Sequence, residues 1–549
     1  MTPLTGGAAL AHALAGHGVD LVWGIPGTHN LEIYAHLPPT GIRPIPTRHE
    51  QGAAFAADGF ARATGRVGVC VTTSGPGVLN AATALAQAWS DSVPVLLISA
   101  GMPLRHPGRG TGELHETKDL RAVMQGIVAY SHRVTSVGEI PFAVAQAFAT
   151  MRGGRPRPVH VEVPFDVLEE SAPVEPVAPL ARGVARPEIA ALQAAAQRLA
   201  DADRAAIIAG GGAAGAPDLV RSCAEHLGAP VITTFNGKGC IASDHPLCAG
   251  TGLHQKAVRE LVDESDAVLV VGSELAPADL WDGPLPLQGK LVRIDIDPVA
   301  VITNAAPEVA LVGDAAPALE ALLAAWRGAD AAPAAVGERV EARHRRGAGS
   351  RSKPDGERPR RWRERIRQEA VQASDRWAWV LDPIGEVLGE RGTLAGDSAM
   401  VCYRGAAVRL PAQRPRSFLY PTGFGTLGYG LPAGIGAKLA RPEDPVVVLM
   451  GDGGVMFTVA ELAAAAQLGL ALPVVVVENG GYGEIREEML RRGDPPVAVE
   501  LPAPDFAALA EALGCHGERV PDGDGDALEA ALRRGLTAGR PTLLHVRAA

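Results

Sequence analysis

The chain has 549 residues, of which 47% are hydrophobic and 20% are charged, so it is long enough for about three or four globular domains. Its 61 acidic and 51 basic residues give a net charge of −10, which favours solubility and argues against a nucleic-acid partner. No stretch of about eighteen apolar residues suggests a membrane span, and residues 1–7 lack the features of a signal peptide. The six cysteines are scattered without a Cys-x-x-Cys pair, which predicts free thiols in a reducing cytoplasm.

The first part of the chain, residues 1–170, alternates apolar strand-like runs with alanine-rich helical stretches, which indicates an α/β domain. The predicted strands are Leu21 to Gly24, Val67 to Thr72, Val93 to Ser99 and Val159 to Val163. A Pro/Glu/Val-rich stretch, Ser171 to Pro179, is predicted to be a linker.

Two further α/β blocks follow, at residues 186–328 and 366–549. In the first of them, Ala205 to Ala209 leads into Gly210-Gly211-Gly212, which suggests a dinucleotide turn but lacks the Gly-x-Gly-x-x-Gly spacing. Residues 329–365 lack apolar periodicity and are predicted to be a flexible linker. No interleaved aromatic platform accompanies the basic cluster at residues 344–367, so we interpret it as solvated rather than as a nucleic-acid site.

The third block contains two polar signals, each placed directly after an apolar run. Gly451-Asp452-Gly453 follows 446–450 and Asn479 follows 473–477, with a helical stretch, 455–470, between them. In a βαβ unit both signals lie at the carboxyl edge of the sheet, where open α/β sheets bind ligands. Aspartate and asparagine oxygens beside a diphosphate favour Mg²⁺. The alternative is an ordinary buried βαβ unit with a glycine turn.

This spacing resembles the cofactor signature of thiamine diphosphate enzymes, in which Gly-Asp-Gly is followed about two dozen residues later by two asparagines. Here Glu478 replaces the first asparagine, and Asn479 keeps the second. The motifs Gly24 to His29, Arg48 to Gly52 and Ser74 to Gly77 are similar to the pyrimidine-binding domain of acetohydroxyacid synthases and related 2-oxo acid decarboxylases. The resemblance implies three doubly wound parallel-sheet domains: a pyrimidine-binding, a middle and a diphosphate-binding domain.

The resemblance also implies the residues of the site. Asp452 and Asn479 are expected to bind Mg²⁺ through side-chain oxygens, and Gly481 through its carbonyl. Glu50 is expected to hydrogen-bond the aminopyrimidine of thiamine diphosphate, so that the cofactor deprotonates itself, and Leu427 to keep the cofactor bent. The residues expected to line the cofactor are Pro26, Glu50, Gly425, Leu427, Gly451, Asp452, Gly453, Gly454, Asn479, Gly481 and Tyr482.

Two histidines are further catalytic candidates. His29 occupies a loop position where benzaldehyde lyase and some decarboxylases carry histidine, and His115 a position where acetohydroxyacid synthases carry glutamine. Either side chain can relay protons, or can be a polar residue with a merely structural role. FAD, which some acetohydroxyacid synthases hold in the middle domain, is not expected, since Gly272 to Leu275 lacks the arginine of those enzymes.

The preferred function is decarboxylation of a 2-oxo acid through an enamine intermediate. Acetohydroxyacid synthases usually carry a tryptophan in the segment after the asparagine motif. Here that segment, Gly483 to Leu490, contains no tryptophan. The first block is most similar to bacterial decarboxylases of 5-guanidino-2-oxopentanoate, the 2-oxo acid of arginine, and Glu484, Glu487 or Glu488 can pair with such a cationic tail. An acetolactate synthase-like carboligase is the alternative, and a non-catalytic cofactor sensor a remote one. The family implies a homodimer or homotetramer whose subunits share sites.

Overall fold

The computed structural model describes residues 3–180, 183–331 and 356–547. The first block is built on a six-stranded sheet in which all neighbouring strands are parallel. In sheet order the strands are Arg43–Pro46, Leu21–Gly24, Gly68–Thr72, Val95–Gly101, Val159–Pro164 and Ser131–Arg133. The helices of this block are Gly6–Gly16, Leu31–His36, Glu50–Thr64, Pro76–Ser90, Leu120–Gln125, Ile140–Gly153 and Phe165–Glu169.

The second block repeats this architecture, again with parallel pairing throughout. Its strands, in sheet order, are Cys248–Thr251, Val231–Thr233, Ala205–Ala209, Ala267–Val271, Leu291–Asp295 and Val309–Val312. Its helices are Ile189–Ala200, Pro217–Leu227, Lys256–Glu264, Pro277–Leu280 and Ala315–Ala331. The central strands are apolar along their whole length because helices cover both faces of a parallel sheet.

The third block carries the strands Phe418–Leu419, Thr393–Gly396, Val446–Gly451, Pro473–Glu478, Thr542–Arg547 and His516–Arg519 in sheet order. From the second of these strands onward the neighbours are parallel. The helices are Ala378–Leu388, Gly430–Ala440, Asp452–Val455, Glu461–Gln467, Gly483–Arg492, Phe506–Ala512 and Gly525–Gly535. The predicted α/β class with three parallel sheets is therefore confirmed.

The described chain divides into two units. The first comprises Met1–Gly183, Arg376–Tyr403 and Leu419–Ala549, and thus joins the first and third blocks. The second comprises Val184–Asp375 and Arg404–Phe418. The predicted start of the third domain at residue 366 is therefore too early by this division, since residues up to Asp375 group with the middle block.

The linker predicted at 329–365 is wrong at its ends, and its centre, residues 332–355, lies outside the described residues. The helix Glu357–Ser374 begins within it. Trp362 and Ile366, four residues apart, are buried, and Glu369 accepts hydrogen bonds from the backbone of helix Lys256–Glu264. The many arginines on the exposed face conceal this apolar spacing in the sequence.

Two smaller predictions also need correction. Ser171–Ala172, at the start of the predicted linker 171–179, pairs as a short antiparallel strand with Leu4–Thr5. The helical stretch predicted over 455–470 is interrupted by turns at 456–460. Within that interruption Thr458 donates its hydroxyl to the carbonyl of Gly428, 2.8 Å away, a contact with another segment that local helix propensity does not express.

The first and third blocks pack through two helices, Glu50–Thr64 and Gly430–Ala440. A Cβ added to Gly59 would collide with the backbone of Ala433, so the glycine permits this close approach. At the same contact the hydroxyl of Tyr429 donates to Asp58, at 2.7 Å. Among the described residues, no helix combines the length and apolar character needed to cross a membrane.

Candidate active site

Asp452 lies where strand Val446–Gly451 ends, beside the parallel strand Pro473–Glu478. Its side chain is 5% exposed, and Oδ2 accepts hydrogen bonds from the amides of Gly480 at 3.0 Å and Gly481 at 2.9 Å. Burial raises the pKa of this carboxyl, while the backbone amides oppose the shift. The structure thus brings the loop after one strand onto the aspartate after the other, as the βαβ prediction required.

The three predicted metal ligands converge on one point. The outer amide atom of Asn479 that faces this loop lies 3.0 Å from the carbonyl oxygen of Gly481 and 3.2 Å from Oδ1 of Asp452. With nitrogen in that place the amide donates to both oxygens. With oxygen there, it lies about as far from each of these two oxygens as adjacent ligands of octahedral Mg²⁺ lie from one another, about 3 Å. The donor set and its spacing therefore fit a magnesium ion.

Glu478, the departure from the family signature, faces away from this group. Its Oε2 lies 2.7 Å from Nε2 of His545 and 3.0 Å from Nε of Arg547, both on strand Thr542–Arg547. Its pKa is lowered because these partners and their charges outweigh its partial burial. Glu478 thus joins two strands of the sheet.

The glycines after strand Val446–Gly451 are required by close neighbours. A Cβ on Gly453 would lie 2.9 Å from the ring of Tyr482, and one on Gly454 would collide with the carboxylate of Asp397. The same point on Gly454 is 3.8 Å from Cδ2 of Leu427, so Leu427 lies beside this loop. Leu427 is half-buried, and the nearby Gly425 is exposed with a φ of +66°.

Asp397, which the sequence analysis missed, holds the loop that carries Leu427. This fully buried carboxylate accepts from the amides of Gly428 at 3.1 Å and Tyr429 at 2.9 Å. Burial raises its pKa to about 6, against the effect of the amide bonds. Because Asp397 directly follows strand Thr393–Gly396, the rule that found Asp452 could have found it as well.

The same loop is held from the first block by Asp91 and Gln87. Asp91 accepts from the amides of Thr422 at 3.0 Å and Gly423 at 2.8 Å. Gln87 accepts from the hydroxyl of Thr426 at 3.2 Å. No local sequence signal indicated these contacts, since they join residues more than 300 positions apart.

Glu50 begins the helix Glu50–Thr64 and is half-buried. Its Oε2 accepts from the amide nitrogen of Asn80 at 2.9 Å. A Cβ on Gly77 would lie 3.4 Å from Oε1, which places Glu50 beside the Ser74 to Gly77 motif. Within the described part of the chain, no hydrogen bond joins Glu50 to Asp452, Asn479 or Gly481, and Pro26 is exposed.

The two predicted histidines, in contrast, are brought together. Nδ1 of His29 lies 2.7 Å from the hydroxyl of Ser74, Nδ1 of His115 lies 3.5 Å from the same oxygen, and the imidazole centroids are 5.1 Å apart. His29 also stacks on Phe165 at 5.0 Å. Burial, and then the neighbouring His115, lower the pKa of His29, so His29 is held neutral near pH 7. Ser74, buried between the rings, was not predicted as a site residue.

A cavity of about 1120 Å³ opens beside this histidine pair. Ser74 and His115 form one side of it, and Arg133 with the buried Glu162 forms another. Both positive and negative side chains line the space, so its charge alone does not select one sign of ligand.

The acidic residues after the asparagine motif have separate surroundings. Glu484 accepts from the hydroxyl of Tyr403 at 2.6 Å and pairs with Arg491 at 3.2 Å. Glu487 lies 3.8 Å from Arg376, and Glu488 is exposed. Glu484 is thus the member of this group with a firmly oriented carboxylate.

In the middle block, Gly210 and Gly212 pack against the backbone of Gly272. A Cβ on Gly212 would lie 2.8 Å from Cα of Gly272, and one on Gly210 would collide with the carbonyl of Gly272. Close approach of two loops therefore explains these glycines without a nucleotide.

Comparison with known proteins matches all three blocks to thiamine pyrophosphate enzyme domains. The N-terminal TPP binding domain matches residues 4–123, the central domain 192–322 and the C-terminal TPP binding domain 399–546. A probable 2-ketoarginine decarboxylase of Pseudomonas aeruginosa is 43% identical, covering 99% of this chain and 94% of that protein. Acetolactate synthase isozyme 2 large subunit of Escherichia coli is 32% identical, covering 99% and 95%. A probable acetolactate synthase large subunit of Methanocaldococcus jannaschii is 31% identical, covering 99% and 92%.

Proposed function

The chain belongs to the thiamine pyrophosphate enzyme family, and we propose that within it the protein decarboxylates a 2-oxo acid, with thiamine diphosphate and Mg²⁺ as cofactors. The observation that carries this choice is the 43% identity, along nearly the whole chain, to a probable 2-ketoarginine decarboxylase, against 31–32% for two acetolactate synthases. We therefore propose 5-guanidino-2-oxopentanoate as the first substrate to test.

Asp452, Asn479 and Gly481 would hold the magnesium ion, whose remaining positions suit diphosphate oxygens. Leu427 and the glycines 451–454 would shape the surface for the cofactor. The chemistry that thiamine diphosphate would supply when bound is a nucleophilic carbon that adds to the substrate carbonyl, and a cationic ring that takes up the electron pair released with carbon dioxide.

The other roles fall to side chains of the first block. Glu50 would hold a proton at a nitrogen of the cofactor's pyrimidine, with Asn80 fixing the orientation of its carboxyl. His29, held neutral, would accept or donate a proton at the substrate oxygen, and Ser74 would connect it to His115. Glu484, oriented by Tyr403, would face the guanidinium of a cationic substrate.

A carboligase of the acetolactate synthase type is the second candidate, because several relatives at 30–34% identity bear that name. The two activities share every step up to loss of carbon dioxide and differ in whether a proton or a second carbonyl compound is added next. The first test is a panel of 2-oxo acids that includes 5-guanidino-2-oxopentanoate and pyruvate.

Carbon dioxide and the organic products are measured together in this test, with Glu50→Gln as the inactive control. An aldehyde as the main product supports the decarboxylase, whereas acetolactate from pyruvate supports the carboligase. Absence of carbon dioxide release from every acid, with the cofactor bound, would reject both activities.

We further propose a homodimer or homotetramer in which two subunits complete each site. Exposed apolar side chains of the third block, Phe424, Met456 and Phe457, lie on or near the loops that carry Leu427 and Asp452, and such a patch suits an interface. Light scattering of the holoenzyme tests this assembly, and an active monomer would reject it. We place the protein in the cytoplasm, which suits its six buried, free cysteines.

A further inference from the structure

Glu461 is a buried carboxylate of the third block that contacts the segment just before Glu50. It begins the helix Glu461–Gln467 and is 1% exposed. Its Oε1 accepts from the amides of Arg48 at 3.0 Å and His49 at 2.9 Å, and its Oε2 lies 3.2 Å from the same Arg48 amide. These two amides immediately precede helix Glu50–Thr64, whose first residue is Glu50.

The first turn of that helix is shaped around this carboxylate. A Cβ on Gly52 would collide with Oε1 of Glu461, so any other residue at position 52 would displace the carboxylate or the helix. The guanidinium of Arg48 donates to the side chain of Gln467, at 2.9 Å, and it is the backbone amide of Arg48 that binds Glu461. The carboxylate is therefore held chiefly by backbone amides.

Keeping an acid at this place has a free-energy cost. Burial raises the pKa of Glu461 to about 7, while the two amides and the charge of Arg48 lower it and the charge of Glu50 adds to the rise. A well-packed apolar residue avoids such desolvation, but it cannot bind the amides of Arg48 and His49. What the carboxylate provides at this cost is a defined position for the start of the helix.

We propose that Glu461 is a positioning residue, which fixes the helix start so that the Glu50 carboxyl meets the cofactor in its reactive orientation. The inference rests on the role proposed for Glu50 above. It makes the third block responsible for the position of an acid in the first block, in addition to its own residues for the diphosphate and the metal.

The test compares Glu461→Ala and Glu461→Gln with the exposed control Glu390→Ala of the same block. In the enzyme without cofactor, we expect amide hydrogen exchange at residues 48 and 49 to become at least tenfold faster in Glu461→Ala. In the holoenzyme, exchange of the thiazolium proton should slow at least tenfold, while affinity for thiamine diphosphate changes less than threefold. Glu461→Gln, which keeps one acceptor oxygen, should recover part of that rate.

A double-mutant comparison separates positioning from general damage. In a Glu50→Gln background, Glu461→Ala should cause no further loss of the exchange rate, because the side chain it positions is already altered. An equal loss in both backgrounds, or a parental exchange rate in Glu461→Ala, would overturn the inference. If Glu50→Gln itself exchanged at the parental rate, the proposed role of Glu50 would fail instead. Should the alanine variant not fold, Gly52→Ala provides a second way to displace the carboxylate.

Discussion

Glu478 forms a hydrogen bond with His545 across two neighbouring strands, with 2.7 Å between Oε2 and Nε2. The glutamate side chain is 15% exposed and the histidine 5%. This residue stands where the family signature has an asparagine, and its partners show that the departure serves the sheet, while Asp452 and Asn479 keep their positions at the loop.

Replacing this glutamate should therefore affect stability and spare cofactor binding. We expect Glu478→Gln to lower the free energy of unfolding by about 1 kcal/mol, since a mostly buried pair is lost. Thiamine diphosphate affinity should stay within threefold of the parent. Glu518→Gln, which breaks the exposed pair with Arg534, is the matched control and should change stability by less than about 0.5 kcal/mol. A large loss of affinity in Glu478→Gln would assign this residue to the site.

Asp452→Asn removes a charge from the proposed magnesium group but keeps an acceptor for the amides of Gly480 and Gly481. We expect Mg²⁺-dependent binding of thiamine diphosphate to weaken at least tenfold, because a neutral amide is a poorer ligand for this hard cation. Calorimetric titration with and without Mg²⁺ measures the effect. Asp505→Asn, at an exposed helix cap, should bind as the parent does. Parental affinity in Asp452→Asn would contradict the assignment.

If two subunits complete each site, inactive variants should complement one another. A mixed dimer of one Glu50→Gln chain and one Asp452→Ala chain contains one site with both residues intact. Mixing the two variants under conditions of subunit exchange should then restore decarboxylation that neither has alone. No recovery, with hetero-oligomers confirmed by mass spectrometry, would mean that each chain supplies both residues to its own site.

His29 is held neutral by burial and by His115, so it should act as the uncharged imidazole near pH 7. We expect His29→Ala to lower kcat for aldehyde formation by about 100-fold, which is the lower range for loss of a general acid or base. Ser74→Ala, which keeps both rings but removes their link, should lower kcat less and alter its pH profile. Unchanged kcat in both variants would leave the pair with a structural role only.

We expect Asp397 to make a pH-dependent contribution to the free energy of unfolding. Burial raises the pKa of this carboxyl from its ordinary value of 3.8 to about 6, so the folded chain binds the proton more tightly than the unfolded chain does. Stability contributed by this group should therefore fall as the pH rises from about 4 to 6, by up to about 3 kcal/mol. Relative to Asp397→Asn, the parent's melting temperature should decrease over this window. A constant difference between the two proteins would show that Asp397 does not titrate there.

Much of the fold was predictable because its strands correspond to short apolar runs in the sequence. The apolar runs that end at Gly24, Thr72 and Val163 are strands with close to the predicted bounds. The juxtaposition of Asp452 with the loop of Asn479 followed from parallel pairing alone, since neighbouring parallel strands end at the same edge. The helix Glu357–Ser374 was missed because arginines dominate its composition, although its buried residues keep helical spacing.

By itself, the sequence determined three parallel sheets and the polar residues at their carboxyl edges, because strand and turn patterns act over a few neighbouring residues. Only the tertiary structure decided which segments hold those residues in place. Ser74 joins His29 to His115, Asp91 holds the loop before Leu427, and Glu461 binds a backbone amide 413 positions away. Such contacts produce no periodic pattern of apolar residues in the sequence, since they depend on how whole helices and sheets pack against one another.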